Sequence, residues 1–72
     1  MKTRDLVYQC IVEYMEEHQY APSIRELCEM TGLSSTQTVY HHLINLDVID
    51  GKINYKGGRQ IKVKGYQFAR KI

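Results

Sequence analysis

The chain has 72 residues, a formal net charge of +2, 43% hydrophobic and 25% charged residues, enough for one small domain but not for a deep two-domain cleft or a large enclosed cofactor. That size argues against a complex enzyme, and no apolar run approaches the ~20 residues of a membrane span. The polar-interrupted start Met1-Lys2-Thr3-Arg4-Asp5 lacks the apolar stretch and cleavage site of a signal peptide, so the expectation is a cytoplasmic protein with reduced thiols, no cofactor and no membrane partner.

In the first segment Val7, Cys10, Ile11, Tyr14 and Met15 recur at helical spacing, with Asp5, Gln9, Glu13, Glu16 and Glu17 elsewhere on the circumference. Thr3 is the expected N-cap. The helix should end near His18-Gln19, because Pro22 pushes Ala21 out of the α region and cannot continue the hydrogen-bond ladder. Ser23 with Glu26 three residues on forms a capping box for a second helix, whose buried stripe is Ile24, Leu27, Cys28 and Thr31. Gly32 can take the left-handed conformation that stops it. A third helix begins at Ser34 or Ser35, with Ser34 and Gln37 as a second capping box, and runs to about Leu46. Two short helices joined by a tight glycine turn have the layout of a helix–turn–helix.

Beyond Asp47 the period becomes two. Ile49, Gly51, Ile53 and Tyr55 alternate with Asp50, Lys52 and Asn54, Gly57-Gly58 supplies a turn, and Ile61 and Val63 alternate with Gln60, Lys62 and Lys64. This predicts a β-hairpin with Lys56 and Arg59 at its tip. Residues 65–72 show no clear period and read as a basic C-terminal tail after a domain spanning 1–64. Charge divides at the same place: residues 1–50 hold three basic and eight acidic residues, a net −5, whereas residues 51–72 hold seven basic residues and no acid, +7. A cationic segment this dense repels itself unless a polyanion neutralises it, so nucleic acid is the first partner to consider.

On a wheel of ~100° per residue Val39, Leu43 and Leu46 form the buried seam of the third helix. The opposite face holds Gln37, His41 and Ile44, flanked by Tyr40, Thr38 and Asn45. Gln can pair with the adenine edge, His can donate to guanine, and Ile or Thr methyls can meet the thymine methyl, so this face can discriminate bases. Ser34, Ser35 and Thr36 bring hydroxyls and backbone N–H groups to a helix start, where a phosphate is favoured. The helix itself carries no Lys or Arg, so Lys52, Lys56 and Arg59 of the hairpin are expected to supply the phosphate contacts, with Arg25 beside them.

The stretch Tyr20-Ala21-Pro22-Ser23-Ile24-Arg25-Glu26-Leu27, then Thr31-Gly32-Leu33-Ser34-Ser35-Thr36-Gln37-Thr38-Val39, His42-Leu43 and Gly58-Arg59-Gln60-Ile61 resembles the N-terminal DNA-binding domain of the LexA repressor family over roughly residues 3–63. The resemblance implies a winged helix–turn–helix, mainly α with a small β-hairpin. It also implies base contacts from Ser35, Gln37, Thr38, Tyr40 and His41, to which the wheel adds Ile44. The Asp47–Ile49 link looks about three residues shorter than the family's, which leaves the wing's angle open. Family repressors continue into a hinge and a Ser–Lys peptidase domain; here every serine is expected at a helix cap, and the chain reads as a non-enzymatic stand-alone relative or a fragment. Cys10 and Cys28 fall on buried stripes of different helices and read as core residues. His41 and His42 point ~100° apart and cannot share a metal, and His42 is expected to be a hydrogen-bonded boundary residue.

The resulting expectation is a sequence-preferring duplex-DNA binder of the repressor type, with a weak homodimer or a fused protein as a further partner. Two other readings use the same residues. Tyr40, Ile44, Tyr55 and Tyr66 could form an apolar patch for a protein partner, or the domain could bend DNA as an accessory factor of a mobile element.

Overall fold

The computed structural model describes residues 2–57 and 60–64. Three helices, α1 (Thr3–His18), α2 (Ile24–Thr31) and α3 (Thr36–Val48), precede two strands, β1 (Ile53–Tyr55) and β2 (Ile61–Val63). The strands pair antiparallel with Ile53 opposite Val63, Asn54 opposite Lys62 and Tyr55 opposite Ile61. The helices pack pairwise and the hairpin packs on α3, giving the expected winged helix–turn–helix.

Apolar spacing puts one stripe of each helix into a single core. Val7, Ile11, Leu27, Val39, Leu43, Leu46 and Ile53 are all 0% exposed, and full burial of each such side chain contributes about 1.5–3 kcal/mol. Cys10 joins this cluster, as expected, while Ile24, Cys28 and Met15 pack half-buried at its edge. Thr31 is also only half-buried, and its hydroxyl donates back to the Leu27 carbonyl at 2.7 Å. No helix among the described residues is long and apolar enough to cross a membrane.

The helix ends follow local chemistry, with three corrections. α1 is capped by Lys2 without a side-chain hydrogen bond, and Thr3 is its first helical residue rather than its cap. Its other end closes on Gln19 at φ 66°, just ahead of Pro22. The Ser23–Glu26 capping box forms in both directions, and Gly32 ends α2 at φ 78°. At α3 the Ser34–Gln37 box does not form, because Ser35 is the residue with extended backbone and its hydroxyl accepts from the Thr38 N–H.

α3 also runs two residues further than its buried seam requires, through Val48, with Ile49 as a helical C-cap. Ile49 is therefore not the first strand residue. Val48 and Ile49 stand 75% and 66% exposed, since continuing the helix carries them away from the core. The chain turns into β1 through Gly51 at φ 62°, where the Lys52 N–H donates to the Leu46 carbonyl at 2.9 Å. Arg4 braces this junction from α1, its guanidinium meeting both carboxylate oxygens of Asp50 at 2.9 and 3.3 Å.

Candidate nucleic-acid interface

With Val39, Leu43 and Leu46 fully buried, the opposite side of α3 is forced outward. Gln37, Thr38, Tyr40 and His41 are exposed, as the wheel requires, and so are Ser34, Ser35 and Thr36 at the helix start, whereas Ile44 and Asn45 are half-buried. Ile44 thus sits at the margin of the face rather than on it. The Ser35 hydroxyl accepts from the Thr38 N–H at 3.4 Å. The N–H groups of Thr36 and Gln37 come too early in α3 to have an intrahelical acceptor, which leaves them available to an anion. Arg25 is exposed in the first turn of α2. An open hollow lined by Ile24, Thr36, Gln37 and Tyr40 separates the starts of α2 and α3.

The hairpin's period-2 pattern divides it into two faces. Ile53, Ile61 and Val63 are buried at 0%, 3% and 6%, and Tyr55 is half-buried beside them. The outer face carries Lys52, Asn54, Lys56, Gln60, Lys62 and Lys64, all exposed. Asn54, Lys56, Gln60, Ile61 and Lys62 line one hollow on the hairpin. Lys62 and Lys64 were not among the residues expected to meet phosphates, although the same alternation places them on the face of Lys52 and Lys56. Lys52 lies at the base of the hairpin, its ammonium 5.1 Å from the Tyr8 ring centroid on α1, where a cation is attracted by the ring face. At the other end the Gln60 N–H donates to the Gly57 carbonyl at 2.9 Å, and Gly57 turns at φ 100°. Arg59 and Gly58 lie outside the described residues, as do Tyr66 and the tail.

Tyr40 connects the two parts. Its ring meets the Tyr55 ring edge-on, centroids 5.9 Å apart and planes at 73°, and it stands 6.3 Å from His41. A patch built from Tyr40, Ile44 and Tyr55 is therefore partly consumed by intramolecular packing. His42 departs from expectation: its Nδ1 is buried without a hydrogen-bond partner among the described residues. No cluster of three His, Cys, Asp or Glu residues able to hold a metal occurs among the described residues.

Residues 2–60 match the model of the LexA DNA binding domain. Similar proteins include the LexA repressor of Carboxydothermus hydrogenoformans, 54% identical over 37 residues, which are 51% of this chain and 18% of that protein. The LexA repressor of Caldicellulosiruptor saccharolyticus is 41% identical over 46 residues, 64% of this chain and 23% of the relative. That of Desulfatibacillum aliphaticivorans is 42% identical over 43 residues, 60% of this chain and 21% of the relative. The aligned segments thus span about a fifth of these relatives' length. No solved structure gives a significant match.

Proposed function

The chain belongs to the LexA DNA binding domain family, and from that premise we propose that it binds duplex DNA with sequence preference and acts as a repressor-type regulator of transcription. α3 enters the major groove with Ser35, Gln37, Thr38, Tyr40 and His41 toward base edges and Ile44 at the margin of the contact. Ser34, Thr36 and Arg25 hold phosphates beside it, and Lys52, Lys56 and Arg59 of the wing hold phosphates further along the duplex. The observation that carries this reading is a division of labour. An exposed face of α3 without formal charge abuts, through Tyr40 and Tyr55, a hairpin whose outer face is cationic.

Phosphate contacts supply affinity without sequence information, and base-edge contacts supply the discrimination. One α3 reaches few base pairs, so two copies on half-sites a helical turn apart would raise specificity. The test is selection from a random duplex library, followed by titration of the selected and a scrambled duplex across a range of salt. Affinity for both should fall linearly with log salt, by about 0.9 log units per phosphate contacted for each tenfold rise in salt. Gln37→Ala or His41→Ala should reduce preference at particular base pairs by about 1–3 kcal/mol while leaving the salt slope intact. Equal weakening on selected and scrambled duplexes would remove the base-reading role.

A further inference from the structure

The link between α3 and β1 is short and turns at Gly51, so nothing in its length fixes the angle at which the hairpin leaves the helix. Beyond the core burial of Ile53 and the Arg4–Asp50 brace at the junction, two side chains of α3 fasten it, and both act on Tyr55. The Asp47 carboxylate, in the last turns of α3, accepts a hydrogen bond from the Tyr55 backbone N–H at 3.1 Å. Seven residues earlier Tyr40 meets the Tyr55 ring edge-on at 5.9 Å. A separation of seven residues is two helical turns, about 10 Å along the axis, so two separated points of the helix grip one residue of the strand, by its backbone and by its ring. Tyr55 pairs with Ile61 and is the last residue of β1; Lys56 follows it directly, and its N–H closes onto the Gln60 carbonyl at 2.9 Å.

We infer that Asp47 is a positioning residue for nucleic-acid binding: by capturing the Tyr55 N–H it holds the cationic wing at a set angle to the reading helix. Tyr40 is its partner in this role, and its ring serves the wing as well as the groove. The inference rests on the duplex-binding reading above. An acid beside a surface that binds phosphates opposes binding through its charge, so its presence calls for a compensating role. A wing ordered before binding makes its phosphate contacts without the entropic cost of immobilisation at the moment of association. Asn at this position keeps an oxygen acceptor and removes the charge, whereas Ala removes both.

Amide hydrogen exchange on the free protein tests the latch without DNA. In Asp47→Ala the Tyr55 amide should lose about tenfold or more of its protection while core amides of α1 keep theirs, and Asp47→Asn should restore most of it. Salt titrations on a scrambled duplex then test its consequence: Asp47→Ala should bind about tenfold more weakly despite its lost negative charge, with Asp47→Asn at least as tight as the parent protein. Tyr40→Leu, which cuts the other fastening and leaves Asp47 in place, should also expose the Tyr55 amide, so the two-point attachment stays testable if Asp47→Ala does not fold. Unchanged Tyr55 protection in Asp47→Ala, or tighter duplex binding by that variant, overturns the positioning role. Failure of the parent protein to bind any duplex would instead overturn the duplex-binding reading, while the exchange data would still decide whether Asp47 holds the wing.

Discussion

Glu26→Ala should destabilise the domain by about 2–3 kcal/mol, because one carboxylate joins α1 to α2. Its Oε1 accepts from the Ser23 N–H at 2.9 Å and its Oε2 accepts from the Tyr14 hydroxyl at 2.6 Å. The reverse half of the capping box, from the Glu26 N–H to the Ser23 hydroxyl at 3.1 Å, uses backbone and survives the substitution. The lost cap bond is worth about 1 kcal/mol. The Tyr14 bond is charge-assisted, a class worth about 1.5–3 kcal/mol, and the half-exposed carboxylate places it at the lower end. For a domain of this size each kcal/mol moves the melting temperature by about 4–8 °C, so the expected loss is about 8–24 °C. Circular dichroism melts of Glu26→Ala, Tyr14→Phe and the double variant measure it. The two losses should overlap by about 1 kcal/mol, since contacting residues are not additive. A fall of less than about 3 °C, or additive losses, would refute the assignment of the α1–α2 joint to this carboxylate.

Arg4→Ala should cost about 1 kcal/mol in a urea melt at low salt and less at high salt, because its ion pair with Asp50 is bidentate but its side chains remain 28% and 20% exposed. Gly32→Ala should cost about 1–2 kcal/mol from backbone conformation alone, since Gly32 sits at φ +78° and an added Cβ would meet nothing within 4 Å. The Cys10 thiol is pushed up from its ordinary 9.0 by burial and then by Glu13, so a thiol reagent at pH 8 should label it more slowly than the half-buried Cys28. Because the folded thiol holds its proton more tightly than the unfolded one, its contribution is intact below about pH 9 and is lost as pH rises further; urea midpoints at pH 8 and pH 10 check the sign. Lys62→Ala should weaken binding to all duplexes alike and flatten the salt slope by about one phosphate, measured by the same titration.

Periodicity and caps carried most of the fold. Val39, Leu43 and Leu46 define the inner side of α3 by spacing alone, which fixes Gln37, Tyr40 and His41 outside. The Ser23–Glu26 box and Gly32 mark the ends of α2 because each acts within a few residues. The boundary beyond Leu46 was not legible: Val48 and Ile49 are β-branched and fit a strand as well as a helix, and the outcome depends on where Gly51 lets the chain turn. Ser34 and Ser35 offer the same cap chemistry one residue apart, and only the path from Gly32 selects Ser35. The side-chain contacts between elements were beyond reach for a different reason. Arg4–Asp50, Tyr14–Glu26 and Asp47–Tyr55 join residues 46, 12 and 8 positions apart, and no local pattern encodes such pairs. For Lys62 the signal was present in the alternation about Ile61 and Val63.

The arrangement of acids explains how a chain with −5 on its first fifty residues can approach a polyanion. Glu13, Glu16 and Glu17 are exposed on α1, and Glu29 on α2, while α3 carries only Asp47. Asp47 and Asp50 are the acids nearest the wing in sequence, and both are engaged: Asp50 faces the Arg4 guanidinium and Asp47 faces the Tyr55 N–H. Pairing Asp50, its carboxylate 2.9 Å from the Arg4 guanidinium, lowers the repulsion a phosphate would meet at the α3–β1 junction, most strongly at low salt. On the duplex-binding reading Arg4 should therefore act on binding as well as on stability. Its removal should weaken duplex affinity by more than its own charge accounts for, because an uncompensated Asp50 would then face the backbone beside the wing. Asp50→Asn in the Arg4→Ala background should recover the excess; if affinity in the double variant stays at the Arg4→Ala level, Arg4 contributes only as one more distant cation.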